Sequence, residues 1–219
     1  MFNEKYLASK EMFRKRMLAN PHAPDAATAA HARVPKGQHS VNAMVPMAPI
    51  GPGHPQISLD KWELVLYGAV DNPVTIPWAE FIKLPSRAFK IDFHCVTTWS
   101  KLDQEFKGVA MSELLAVAQP NDAAKFVIFE SYDNYTTNVP FNEILFDDVF
   151  VAFEMDGKPI PPNFGGPVRA VIPELYGWKS AKYVHKIRFQ ENDEPGFWEV
   201  RGYHNHADPW KEERFSVEY

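Results

Sequence analysis

The chain has 219 residues, 45% of them apolar and 14% aromatic, enough to bury roughly 70% of its unfolded surface around one sizeable core. A net charge of −5 argues against a nucleic-acid binder, which needs a basic face. A mean hydropathy of −0.34, with no apolar run of bilayer length, argues against a membrane span. A single cysteine, Cys95, excludes an internal disulfide and any CxxC zinc or redox motif.

Residues 1–40 carry seven Lys/Arg against three Asp/Glu, a net +4, which leaves −9 on the remainder. This leader has neither the apolar core of a secretory signal nor a twin arginine before an apolar stretch, so a cytoplasmic location is expected. The spacing of Phe2, Tyr6, Phe13 and Met17 predicts a helix over 3–19 that packs on its own domain and stops at Asn20-Pro21. Residues 20–57 are rich in Ala, Pro, Gly and His and read as an extended arm, tethered between Val41 and Ile50. The expected organisation is therefore a helix and arm over 1–56 and one compact domain over 57–219.

Within that domain, Trp62 to Val70 alternates as a strand, and Trp78 to Leu84 suits a short helix that Pro85 ends. Ala88 to Cys95 puts Phe89, Ile91, Phe93 and Cys95 on one face and Lys90, Asp92 and His94 on the other. Ser112 is placed to cap a helix running to Ala118. Strands are predicted at 125–130, 149–154, 168–172 and 184–189, and Gly177 to Lys182 as a helical turn. Short strands alternating with short helices predict an α+β domain with a mixed sheet.

Three segments could carry chemistry. Cys95 ends a strand on its apolar face and runs into Val96-Thr97-Thr98-Trp99-Ser100; it is either a small buried hydrophobe or a thiolate ligand for a soft metal. A hydrolytic thiol needs a base, and His94 points to the opposite face. Gly165-Gly166-Pro167-Val168-Arg169 is followed by Tyr176-Gly177-Trp178-Lys179-Ser180-Ala181-Lys182. The glycines would let backbone approach a ligand. Lys179 and Lys182 would share a helical face and, with Arg169 and Ser180, form an anion cradle; solvated lysines beside a glycine turn are the alternative. Gly196 to Trp210 is dense in aromatic and polar groups. Trp198, Tyr203 and Trp210 with Arg201, His204 and Asp208 could wall a substrate pocket, while His204 and His206 are a weak zinc pair.

Together, and in this order, these segments resemble the molybdopterin-binding oxidoreductases of the sulfite oxidase family, specifically its small bacterial branch. The resemblance is carried by His94-Cys95-Val96-Thr97-Thr98-Trp99-Ser100, by Gly165 to Arg169 with Tyr176 to Lys182, and by the GFWE, RGYH and DPW blocks of the tail. It runs from about Trp62 to Arg214. It implies a sulfite-oxidase-type α+β domain around molybdopterin with molybdenum, with Cys95 as the metal's protein ligand; in the tail, Arg201 and His204 are the donors expected, from their residue types, to face the substrate. It further implies pterin contacts from Thr97, Glu130, Ser131, Phe164, Arg169, Lys179, Ser180, Ala181 and Lys182. Phe164 departs from the pattern, which commonly places a histidine or asparagine there. The implied partners are a small sulfur substrate, sulfite or an S-oxide, and a separate electron carrier; no dimerisation domain is visible. A cofactor-binding module without catalysis and a zinc or thiol hydrolase are the competing classes.

Overall fold

Residues 2–19 and 33–216 are described by a computed structural model; the expected Asn20-Pro21 stop and the first part of the arm lie outside them. Two mixed β-sheets carry these residues. The first runs in the order β1 (His39–Ser40), β5 (Trp99–Ala110), β8 (Phe150–Met155) and β10 (Arg169–Val171), with β4 (Ser86–His94) also paired to β5 and β9 (Lys158–Pro159) to β8. The second runs β3 (Val74–Pro77), β2 (Glu63–Gly68), β11 (Val184–Gln190), β6 (Phe126–Ser131) and β7 (Thr136–Pro140). β1 pairs with β5 and β2 with β11 in parallel; the other pairings are antiparallel.

Most of these strands coincide with the alternation read from the sequence, because each turns a continuous apolar row to a core. Leu64 and Leu66 of β2, Val127 and Phe129 of β6, and Ile187 and Phe189 of β11 are all buried. In the first sheet, Phe89 stacks on Phe150 at 3.8 Å between ring centroids, with Phe106 5.9 Å from the same ring.

Five strands lie outside the expectations: the two-residue β1 and β9, and β3, β5 and β7. β5, at 12 residues the longest, has Phe106 as the large apolar group in its middle, and its inward Gln104 donates to Asp156 at 2.7 Å. β7 turns Thr137 and Asn138 inward, and β3 is short and ends in Pro77. Inward polar groups with partners supplied by distant chain defeat a pattern that reads apolar alternation. The helix expected to be capped by Ser112 starts two residues earlier: α3 spans Met111–Ala118, its N-cap is Ala110, and no side chain caps it. β5 runs straight into it, and Met111 N donates instead to Val149 O at 2.8 Å. The short helix α2 spans Trp78–Phe81. Residues 177–182 form consecutive turns rather than a helical turn.

The N-terminal helix α1 spans Glu4–Ala19, with Asn3 Oδ1 accepting from Tyr6 N at 3.1 Å. It docks on the C-terminal segment through ring pairs: Phe2 on Phe197 (5.3 Å), Tyr6 on Trp198 (6.0 Å) and Phe13 on Phe215 (6.2 Å). Asn3 N donates to Ile50 O at 2.7 Å, so helix and arm are tied together. The arm is pinned by β1 and by buried Val34, Gln38, Met44 and Ile50.

Trp62 joins the second sheet to α2. It is 1% exposed, packs on Trp78 and Phe81, and donates Nε1–H to Val184 O at 3.2 Å. Trp62→Ala is expected to lower unfolding free energy by about 3–5 kcal/mol, the usual cost of emptying so large a buried site. Urea denaturation followed by circular dichroism measures it.

Candidate active site

Cys95 sits where β4 ends and a tight turn begins. Its N–H donates to Trp99 O at 2.9 Å, and its carbonyl accepts from Thr98 N at 3.0 Å and from Gln38 Nε2 at 3.0 Å. Thr98 closes the turn with φ +76°. The thiol is thus held by backbone on both sides, with Sγ 3.1 Å from Thr97 Oγ1. His94 points away: its Nδ1 is 2.8 Å from Ser100 Oγ, and burial pushes its pKa down to about 4. It is not placed to serve as a base for Cys95.

Above the thiol lies a cavity of about 100 Å³. Its floor is Phe93, Cys95 and Trp99; Trp178, Trp198 and Tyr203 wall one side, and Met44 to Ile50 of the arm with Tyr6 and Lys10 of α1 close another. Gly177 allows this packing, because a Cβ there would stand 2.4 Å from the Phe93 ring.

Three cations reach the cavity. Arg169 is buried, donates to Phe164 O at 2.8 Å and Ser180 O at 3.2 Å, and lies over the Phe93 ring. Burial lowers its pKa to about 10, so it stays charged at neutrality. Lys182 donates to Met47 O at 2.6 Å; burial first, and Arg169 second, push it down to about 7. Lys10 is 6% exposed and is lowered by burial. Among the described residues Asp133 is the one carboxylate in the lining, and burial raises its pKa.

The remaining expected residues are dispersed. Lys179 is fully buried behind the wall, with Nζ 2.7 Å from Glu199 Oε1 and 2.8 Å from Asn138 O; it shares no face with Lys182 because the segment is not helical. Ser180 holds Arg169 through its carbonyl, and its Oγ accepts from Ile172 N at 2.9 Å. Ala181 O accepts from Ala170 N at 2.8 Å. Phe164 lines the cavity with its ring and anchors Arg169 with its carbonyl. The Gly165–Gly166 pair makes room for protein rather than ligand: added Cβ atoms would lie 2.6 Å from Lys182 Cγ and 1.7 Å from Ile160 O.

Glu130 lies on the second sheet, bonded to Tyr67 and Arg188, and Ser131 is buried outside the lining. Asp133 and Tyr135, from the turn that follows, reach the cavity in their place. Arg201 and His204 also lie outside it. Arg201 stacks on Phe197 at 3.7 Å and donates to Phe197 O, while His204 Nδ1 accepts from His206 N and Ala207 N, both at 3.2 Å. Of the tail, Trp198 and Tyr203 line the cavity, whereas Trp210 stands half-exposed against His94. His206 bridges Glu143 and Glu213, and among the described residues no three His, Cys, Asp or Glu side chains converge on a metal position.

A soft thiol and buried cations lining one cavity suit a ligand with a soft metal and an anionic group. Trp99 Nε1 and Tyr203 Oη, both on residues lining the cavity, are buried without a protein partner. Polar atoms left so in an interior are normally satisfied by something bound. The chain belongs to the sulfite oxidase family of molybdenum oxidoreductases: the family model described as an oxidoreductase molybdopterin binding domain matches residues 51–198. It is 37% identical over 184 residues to the uncharacterised oxidoreductase YuiH of Bacillus subtilis, covering 84% of this chain and 92% of that protein. It is 28% identical over 156 residues to the protein-methionine-sulfoxide reductase catalytic subunit MsrP of Campylobacter jejuni, covering 64% of this chain and 52% of that one. The sulfane dehydrogenase SoxCD of Paracoccus pantotrophus shares the fold, with a TM-score of 0.60 at 19% identity over 69% of this chain and 43% of its own. The family's cofactor is molybdopterin with molybdenum, and the residues lining the cavity fit it. No helix among the described residues is long and apolar enough to cross a membrane.

Glu199 Oε1 also accepts from Thr137 Oγ1 and Trp178 Nε1, so the Lys179–Glu199 pair locks the tail behind the cavity wall. Glu199→Ala leaves the Lys179 ammonium buried and uncompensated and is expected to cost about 3–5 kcal/mol. The double variant Lys179→Met/Glu199→Leu should recover most of that loss in thermal unfolding.

Proposed function

We propose that the chain catalyses oxygen-atom transfer at a sulfur centre, on sulfite or an S-oxide, at a molybdenum–pterin centre ligated by Cys95. The observation that carries this reading is the juxtaposition of the backbone-clamped Cys95 thiol with buried Arg169 and Lys182 in one aromatic-walled cavity. When bound, the molybdenum–pterin group supplies two-electron redox chemistry coupled to oxygen-atom exchange. The chain supplies binding, orientation and exclusion of water. Cys95 offers the soft ligand, with the Thr97 hydroxyl beside Sγ to accept from the thiol or donate to the thiolate. Arg169 and Lys182 hold the pterin phosphate as charge-assisted donors. Ser180, Ala181 and the Phe164 carbonyl fix those cations rather than meeting the ligand with their own side chains. The Phe164 ring serves as apolar wall where a hydrogen-bonding side chain is the family pattern. An S-oxide substrate is supported by the methionine-sulfoxide reductase relative, of which this chain spans about half the length. Electrons pass to or from a separate carrier.

Elemental analysis of protein made in a cofactor-producing host should give about one molybdenum per chain, as a single cofactor site requires. Cys95→Ser should abolish turnover of sulfite and S-oxides with an artificial carrier while leaving the unfolding transition unchanged. Wild-type turnover in that variant would remove Cys95 from the site.

Lys182 gives a test with two readouts. Its pKa falls from 10.5 in the unfolded chain to about 7 in the folded one. The folded state therefore binds fewer protons across that window, and the stability of cofactor-free protein should rise with pH from about 7 to 10.5. Lys182→Met should flatten that rise, raise the melting temperature of the cofactor-free protein at pH 6, and lower the pterin released per chain. Pterin content equal to wild type would leave Lys182 with a structural role alone.

A further inference from the structure

We propose that α1 is part of the active site and that Lys10 is its substrate-binding cation, holding the oxygen of a small sulfur oxyanion against the Cys95 side of the cavity. The helix lies wholly outside the residues matched by the family model, 51–198. It nevertheless closes the cavity with Tyr6 and Lys10.

Lys10 is an unusual residue for its helix. Its neighbours Lys5, Glu11 and Lys15 are solvent-facing or partly so, whereas Lys10 is 94% buried. Glu11 is engaged by Arg14 and Lys15, on another face. The interaction described for the Lys10 ammonium is the face of the Tyr6 ring, 5.4 Å away. An aromatic face contributes far less than a carboxylate to a charge withdrawn from water. Such a group ordinarily finds an anion, and the cavity offers one carboxylate for three cations.

The charges also divide in a way that singles out Lys10. Arg169 and Lys182 are both tethered to main-chain carbonyls, of Phe164 and Ser180 in one case and of Met47 in the other. A pterin phosphate near two negative charges is matched by those two. Lys10, without such a tether, remains for a second anion. Cys95 lines the same cavity as Lys10, so an anion drawn to Lys10 is drawn into the space where the chemistry is proposed. The orphaned Tyr203 Oη, on the wall facing α1, can donate to the same ligand. This inference deepens the function proposed above: it rests on that reading for the chemistry at Cys95, and selects an oxyanion as the substrate class.

Sulfate, a non-reacting sulfur oxyanion, is the probe. It is titrated by calorimetry into cofactor-loaded wild type, Lys10→Met, Lys10→Arg and, as a control on general helix charge, Lys15→Met. Lys10→Met should weaken sulfate binding by about tenfold or more, the loss of one charge-assisted contact. Lys10→Arg should stay within about threefold of wild type, because the charge is kept, and Lys15→Met should match wild type. Molybdenum and pterin per chain should be unchanged throughout. Unchanged sulfate affinity in Lys10→Met overturns the proposal, as does an equal loss in Lys15→Met. Loss of pterin from Lys10→Met also overturns it, since Lys10 would then serve the cofactor. Limited trypsin cleavage at Arg14 to Arg16 reports whether α1 stays docked; cleavage of Lys10→Met to the same extent as weakened binding would assign the effect to undocking and overturn the proposal too. Protein without molybdenum would overturn the function proposed above, whereas Lys10-dependent sulfate binding in that same protein would still uphold the anion site.

Discussion

Among the described residues, three cations, Lys10, Arg169 and Lys182, line one cavity with a thiol and a single carboxylate. Like charges withdrawn from water repel one another and lose hydration together. Most of the surrounding architecture manages that cost. Carbonyls of Phe164, Ser180 and Met47 point at the cations, and the segments that carry those carbonyls are themselves locked. Gly165 adopts φ +102° so that its chain can lie against Lys182, and Ser180 Oγ is fixed by Ile172 N. What stays uncompensated is capacity for an anion. In a protein of the molybdopterin-binding family, that capacity has an obvious first occupant.

The thiol is held by different means. Cys95 leaves β4 at the point where the chain reverses into β5, and hydrogen bonds from Thr98 and Gln38 and to Trp99 fix its backbone. Gln38 belongs to the arm, so the N-terminal region helps to set the position of the one soft side chain. The same region closes the cavity from above through Met44 to Ile50 and α1. Arm and helix are thus bound to the site at its floor and at its roof, although they make few sheet contacts with the rest of the chain.

The tail stabilises the site more than it enters it. Glu199 gathers Lys179, Trp178 and Thr137 into one buried network, and Arg201 spends its charge on the Phe197 carbonyl and ring. These bonds set the positions of Trp198 and Tyr203, which are the tail's contribution to the cavity wall. A dense block of polar and aromatic residues can therefore act through two rings while its charged members satisfy one another behind them.

The sequence by itself determined the fold class, the strands with apolar alternation and the cysteine-bearing turn, because each depends on local period or on a motif that reads contiguously. It also grouped Arg169, Lys179, Ser180 and Lys182, of which the structure brings Arg169, Ser180 and Lys182 to one cavity. The structure places Lys179, Glu130, Arg201 and His204 outside the cavity lining, because whether a charged side chain faces a cavity or another partner depends on the folded path of the chain: Glu199 takes Lys179, Tyr67 and Arg188 take Glu130 from other strands, and the Phe197 carbonyl and ring, one turn away, take Arg201. β5 and β7 were hidden for the same reason, since their inward polar groups find partners only after folding. Lys10 carried no signal of a site. It falls in the row of Phe2, Tyr6, Phe13 and Met17, but a lone lysine there does not say what it faces; only the docking of the helix on Trp198 and Phe215 puts it in the lining of the cavity that Cys95 shares. Local pattern fixes which residues are apolar and where the chain turns; which charges meet in a cavity is decided by contacts between segments distant in sequence, such as Lys182 with the Met47 carbonyl of the arm.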